Sequence, residues 1–270
     1  MCMSSFKNYI YPSRIICLTE ESVETLYLLG KENLIKGVSA FVKRPIEAQK
    51  LPKVSFFTSS NYKKIAAKDP DLVIGHSDIQ KDIARDLIEL GMNVHIANHR
   101  SIEGILSYIY MLSNLVDAKP EGLLLLKQLE SKIEEAKVFA KSLSIKPKVY
   151  FEEWDNPQIS AIKWVSELLE LCGGEDINSN LREGILAKDR FTTDEKVINS
   201  NPDIIFGCWC GKKVKVEQIK QRKGYNKLNA VKNDRVYELP PEIFLQPGPA
   251  PILSGIDLII DYYKHFSGSH

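Results

Sequence analysis

Runs of adjacent branched apolar residues and stretches of helical spacing alternate along the first half of the chain. Residues 14–18, 37–41, 71–75 and 93–97 each carry a short apolar run of the kind buried in a sheet. Between them lie amphipathic stretches. Residues 22–29 predict a helix ended by Gly30, and residues 79–90 a second ended by Gly91. Ser101 is placed to cap a third that runs to about residue 115. Strand and helix alternating in this way predict a parallel sheet covered by helices.

A different pattern follows. Leu126, Leu129, Ile133, Ala136, Ala140 and Leu143 form one apolar stripe, with Lys and Glu filling the gaps. It predicts a single helix over residues 121–144, roughly 35 Å long at 1.5 Å per residue, ended before Pro147. The alternation then resumes, with strands expected at 148–151, 203–207 and 235–239. Helices are expected at 159–171, closed by Gly173-Gly174, after a Thr192-Thr193 cap, and from about 252 to 266. The layout is lobe, spanning helix, lobe, and a rigid helical connector restricts hinge motion.

Charge and composition narrow the function. The 36 Lys and Arg against 35 Asp and Glu leave a net charge of +1, which gives a polyanion few counterions to release and argues against nucleic acid as a partner. With 44% hydrophobic residues the chain is not disordered, and no apolar run approaches the ~18 residues of a membrane span. Five cysteines (Cys2, Cys17, Cys172, Cys208 and Cys210) do not make a disulfide framework. Cys208 and Cys210 are spaced too closely for an ordinary zinc pair and read as unpaired thiols. The opening residues lack the features of a signal peptide, so the chain as written is expected in the cytoplasm. The competing expectation is that Cys2 is a lipidated cysteine from which a leader has been cut. The dinucleotide fingerprint, the phosphate loop, the nucleophile elbow and the HExxH zinc motif are all missing, which removes most common enzymes built on such sheets.

Specific segments carry a resemblance. Residues 16–30, Val38-Ser39-Ala40-Phe41 with Pro45, Asp69-Pro70-Asp71-Leu72-Val73-Ile74, Leu90-Gly91 and Val94 resemble the first lobe of the helical-backbone (class III) substrate-binding proteins of ABC importers. A similar Asn/Asp-Pro-Asp-apolar phrase returns at residues 201–205. The second half adds Glu152-Glu153-Trp154-Asp155-Asn156-Pro157, Trp164-Val165-Ser166-Glu167-Leu168, Gly173-Gly174-Glu175-Asp176, Trp209-Cys210-Gly211-Lys212-Lys213 and Gln246-Pro247-Gly248-Pro249, which are similar to the cobalamin-binding branch. The resemblance implies an α/β fold of two Rossmann-like lobes with parallel sheets, over residues 1–118 and 147–270, joined by one long helix over 119–146. It also implies a non-catalytic monomer, without a required cofactor, that holds cobalamin in the cleft and delivers it to an ABC permease. By family the chain belongs in the periplasm or on the cell surface.

A corrinoid is broad, flat and largely apolar, and a cleft can hold it with aromatic faces and a few donors. By the resemblance Phe41, Phe57 and His76 fall where relatives line the cleft in the first lobe, and Trp154, Asn156 and Trp209 are the expected contacts in the second; Phe41, His76, Trp154 and Trp209 lie at the carboxyl ends of predicted strands. Each has a plainer alternative: the aromatic residues as core, His76 as a hydrogen-bonding loop residue. His76 is also the candidate axial ligand to cobalt or haem iron, whereas His95 and His99 read as structural. For permease docking the resemblance points to Glu195 in the second lobe, and it places Lys63 where relatives carry the first-lobe glutamate, a reversal that an arginine pocket would repel. Haem, with a Tyr or His ligand, or a ferric siderophore, with Arg and Tyr, is the alternative cargo. The alternative from another class is a cytoplasmic hydrolase or transferase using Glu152, Glu153 and Asp155. Adjacent Glu152 and Glu153 on a strand would point apart and make a poor acid–base pair.

Overall fold

A computed structural model describes residues 11–268. The chain divides into two compact units within one helix, the first reaching Leu129 and the second beginning at Glu130, with residues 100–102 also in the second.

In the first unit five strands, β1 (Ile15–Cys17), β2 (Ile35–Ser39), β3 (Lys53–Ser55), β4 (Leu72–His76) and β5 (Val94–Ala97), lie in the order β3-β2-β1-β4-β5. All neighbouring pairs are parallel. Strand propensity and burial agree here: Ile15, Ile16, Val73 and Ile74 are fully buried. The connecting helices are α1 (Glu20–Leu28), α2 (Tyr62–Ala66), α3 (Lys81–Glu89) and α4 (Ile102–Leu115). The helix expected at residues 79–90 opens instead as a tight turn over Asp78–Gln80 before α3 begins. The chain moves outward from β1 to β3, then crosses to the other side of β1 for β4. The topological switch point therefore falls between β1 and β4, where open α/β sheets place their ligands.

The long helix α5 runs over Lys119–Ser142, two residues earlier at each end than the stripe implied. Leu125, Leu129 and Ala136 are its fully buried aliphatic positions, while Leu126, Ile133 and Ala140 are half-buried.

The second unit contains β6 (Lys148–Asp155), β7 (Gln158–Ser160), β8 (Glu175–Asp176), β9 (Ile204–Gly207) and β10 (Val236–Glu238), ordered β10-β9-β6-β7, with β8 also on β6. Its helices are α6 (Lys163–Leu171), α7 (Asp194–Ser200), α8 (Val216–Lys220), α9 (Asn229–Lys232), α10 (Pro241–Phe244) and α11 (Ile256–Ser267). Two expectations change. β6 is twice as long as the apolar run suggested, because its polar end, residues 152–155, turns back and pairs antiparallel with β7. The helix expected from residue 159 consequently starts at Lys163, its first residues having become the return strand. The sheet is thus parallel except for β7. Its switch point lies between β6 and β9.

Candidate ligand-binding site

In the first unit the carboxyl edge of the sheet is aromatic. Phe41 follows β2, and Phe56 and Phe57 follow β3. All three are exposed, by 52%, 57% and 38%, so neither Phe41 nor Phe57 is a core residue. The Phe41 and Phe56 rings meet edge to face at 6.0 Å, a favourable pairing of ring edge with ring face. Gln80 fixes the loop that carries Phe57. Its Nε2 donates to the Phe57 carbonyl at 3.0 Å, and its Oε1 accepts from the His76 backbone at 3.0 Å. Gly75 makes room for this amide, since a Cβ there would lie 2.4 Å from Gln80 Oε1.

His76 ends β4 but turns inward. It is 5% exposed, and its Nε2 lies 3.0 Å from the carbonyl of His99. A carbonyl only accepts, so Nε2 carries the proton. The ring meets His99 edge to face at 4.9 Å, and His99 stacks on Tyr108 at 4.8 Å. This arrangement corrects the expectation of an open axial ligand: the imidazole is built into the interior of the unit. After β1, at the switch point and near His99, Glu21 is buried and accepts from the Thr19 hydroxyl. Burial pushes its carboxyl above the usual range.

In the second unit the switch point is held by a buried carboxylate. Glu152, fully buried, accepts from Tyr150 Oη at 2.9 Å, from Trp209 Nε1 at 3.1 Å and from both terminal nitrogens of Arg222, one of them at 2.9 Å. Every lone-pair direction is used, which is how a buried charge is tolerated. Glu153 points the other way, to Arg190 at 2.6 Å, as alternation along a strand requires. The two carboxylates are thus engaged with separate arginines.

Trp209 departs from the expectation. It is 1% exposed and belongs to the core cluster with Tyr150, Ile205, Val214 and Tyr225, its indole N–H satisfied by Glu152. The alternation along the chain leads it inward from the end of β9. Trp154 is only half-buried, on the last residues of β6, and its Nε1 donates to the Asn156 carbonyl at 3.1 Å. Asn156 itself is exposed. Above Trp154 sits Lys212, its Nζ 4.0 Å from the ring centroid, 4.8 Å from that of Trp209 and 2.5 Å from Asp155 Oδ1. Partial burial raises the Asp155 carboxyl, but the Lys212 ammonium together with the Asp155 and Asn156 backbone N–H groups outweighs it and holds the group below the usual range.

Phe56, Lys212, Arg222 and Tyr150 were not singled out from the sequence. Phe56 had a signal as the sequence neighbour of Phe57, although β3, which both follow, was not predicted. Arg222 had none, standing 70 residues from the carboxylate it neutralises. The docking candidates Glu195, in the first turn of α7, and Lys63, in that of α2, are both exposed. Cys2 lies outside the described residues. No helix among the described residues is long and apolar enough to cross a membrane.

Two doubly wound units with aromatic side chains at the carboxyl edges of their sheets define a class, the proteins that bind a small solute. The chain belongs to the periplasmic binding protein family, which matches residues 15–243. It is 25% identical over 255 residues to the ABC transporter substrate-binding lipoprotein YvrC of Bacillus subtilis, covering 91% of this chain and 78% of that protein. It is 24% identical over 266 residues to the vitamin B12-binding protein of Vibrio parahaemolyticus, covering 94% and 89%. Among solved structures, the periplasmic heme-binding protein RhuT from Roseiflexus superposes with a TM-score of 0.80 at 22% identity, covering 93% of this chain and 98% of that one. The architecture expected from the sequence, two α/β sheets and a long helix, is the one observed.

Proposed function

We propose that this protein captures a corrinoid such as cobalamin, without chemistry and without a cofactor of its own, and hands it to an ABC permease. The observation that carries the reading is the set of aromatic side chains at the strand ends: the exposed Phe41, Phe56 and Phe57 in one unit and the half-buried Trp154 in the other. Such faces suit a wide, flat, largely apolar ring, with Asn156 available as a polar contact. Cobalamin brings its own lower ligand to cobalt, so the protein need not supply one, in keeping with a His76 ring committed to the interior. The relatives named as vitamin B12-binding proteins align along nearly the whole chain and support the same cargo. Work in the periplasm or at the cell surface, as a monomer, belongs to this proposal.

Delivery needs docking. Glu195 on α7 is the proposed contact with a permease cation. Lys63 on α2 calls for an acidic or neutral permease surface at the first unit, because an arginine there would be repelled.

Calorimetry and visible spectroscopy test the cargo together. Cyanocobalamin is expected to bind one to one with its corrin bands retained. Heat from haemin with a Soret shift, and none from cyanocobalamin, moves the cargo to haem. Turnover of an ester or phosphate substrate by the purified chain would overturn the non-catalytic reading.

A further inference from the structure

The first unit holds a cavity of about 630 Å³ between the end of β3 and the start of α2, with Phe56 on its wall. Its wall includes Lys53, Lys63 and Lys64, together with Ser55 and Ser60, and none of its lining residues is acidic. Three formal positive charges therefore border a space with no carboxylate in its wall. Among the described residues no salt bridge engages any of the three lysines. Lys53 Nζ has only a long contact to the Ala48 carbonyl at 3.4 Å, leaving most of its donor capacity unused. Burial pulls this amine below the usual lysine range, with Glu20 offsetting part of the effect through space.

Two hydroxyls beside the cavity lack partners. Ser55 is 4% exposed, and its Oγ has no hydrogen-bond partner; the Oγ of Ser60 is buried and unpartnered as well. A buried hydroxyl that has left water without a replacement is unfavourable, and the few exceptions in a fold call for an explanation. The turn between the two serines supplies neither hydroxyl with a partner. The backbone bonds that close it, Phe56 N–H to the Ser59 carbonyl at 2.7 Å and Asn61 N–H to the Val54 carbonyl at 2.9 Å, involve neither hydroxyl. Two other polar side chains on the wall are engaged, Asn61 Oδ1 capping the Lys64 amide at 3.0 Å and Tyr62 donating to Asp86 at 2.7 Å, while Ser59 is exposed to water. Two buried hydroxyls without partners and three ammonium groups outside any salt bridge therefore border the cavity.

We propose that this cavity is a binding site for a small oxyanion, a phosphate or carboxylate group, held by the Ser55 and Ser60 hydroxyls and by Lys53, Lys63 and Lys64. Hydroxyl and ammonium donors converge on anionic oxygen, and charge assistance makes such bonds the stronger kind. The site does not rest on the corrinoid reading. The oxyanion is either free in solution or an anionic group of a bound solute reaching past Phe56, which lines the same cavity.

Inorganic phosphate is the probe, titrated into the full-length ¹⁵N-labelled protein at constant ionic strength with chloride as the counter-titrant. Saturable shifts centred on the amides of Ser55, Ser60 and Lys64 are expected. The Lys63→Gln/Lys64→Gln variant, altered only at exposed positions, is expected to keep its melting temperature and bind at least tenfold more weakly. Ser55→Ala is expected to weaken binding about threefold or more; if it fails to fold, the lysine variant decides. Shifts that never saturate, that scatter over lysines elsewhere, or that persist with unchanged affinity in the lysine variant would overturn the site. Repeating the titration with saturating cyanocobalamin separates the sources. Retained phosphate affinity assigns the site to a free oxyanion, and lost affinity assigns it to the corrinoid phosphodiester. If cyanocobalamin does not bind at all, the cargo reading fails while the phosphate result stands on its own.

Discussion

Replacing Arg222 with Met would strip the cationic partner from a carboxylate that is 0% exposed. Glu152 would keep only Tyr150 Oη at 2.9 Å and Trp209 Nε1 at 3.1 Å, both neutral donors. Removing one member of a buried pair typically costs about 3–5 kcal/mol, because the remaining charge is uncompensated. Coulomb's law gives the same scale, roughly 4 kcal/mol for unit charges ~4 Å apart at an effective dielectric of ~20. The second substitution provides the control. Glu152→Gln together with Arg222→Met removes both charges, and the double variant is expected within about 1–2 kcal/mol of wild type, a strongly non-additive cycle. Tryptophan fluorescence during urea unfolding is the assay. All three tryptophans, Trp154, Trp164 and Trp209, lie in the second unit, so the signal reports that unit. A loss below about 1 kcal/mol for Arg222→Met, or a double variant no better than the single, would refute the view that this pair neutralises the switch point. The functional consequence follows from Trp209: its indole anchors the chain that carries Lys212 over Trp154, so the single variant should also bind ligand less tightly.

Three further outcomes are expected. Trp154→Ala should weaken corrinoid binding by ~1–3 kcal/mol, the scale of removing a large aromatic face at a hot spot, with the melting temperature of the empty protein nearly unchanged; a large loss of stability with intact affinity would make Trp154 a packing residue. Asp71 is partly desolvated, which raises its carboxyl, but the Arg14 and Ser13 amides and the Ser13 hydroxyl outweigh this and hold it below its usual range. A depressed folded value means its stabilisation is present above the unfolded pKa of roughly 3.9 and is lost as pH falls through the folded value; Asp71→Asn should therefore flatten the acid limb of a stability–pH curve, and an unchanged limb would contradict that role. Gly122→Ala at the start of α5 would set a Cβ 2.2 Å from Ser113 Oγ and 2.3 Å from its Cβ, an overpacking expected to cost about 1–3 kcal/mol in thermal unfolding and to be relieved by Ser113→Gly, whereas a neutral Gly122→Ala would show that α4 and α5 can part freely.

Much of the architecture was written in local pattern. Consecutive Ile and Val at 15–16 and 73–74 mark strands buried on both faces, and the 3,4 spacing through Leu129 and Ala136 marks the long helix, because both signals depend only on near neighbours. Thr193 announces its own helix for the same reason, its hydroxyl oxygen accepting from the Lys196 amide at 3.2 Å. The exposed position of Phe41 follows from its place at the end of a predicted strand, whereas Phe57 follows β3, a strand that local pattern did not predict. Tertiary structure decided the rest. Whether Glu152 would be a catalytic acid or a structural anchor depended on Arg222, brought in from 70 residues away. Trp209 and Trp154 look alike as strand-end aromatics, yet one is sealed in the core and the other lies under Lys212. β7 formed where helical spacing pointed elsewhere, because pairing with the end of β6 satisfies a whole edge of backbone groups at once. The serine and lysine cavity had no signature along the chain, since burial without a partner is a property of the surroundings and not of the residue. A sequence carries each residue's own preferences; which charge, ring or hydroxyl meets which is fixed only when distant segments pack.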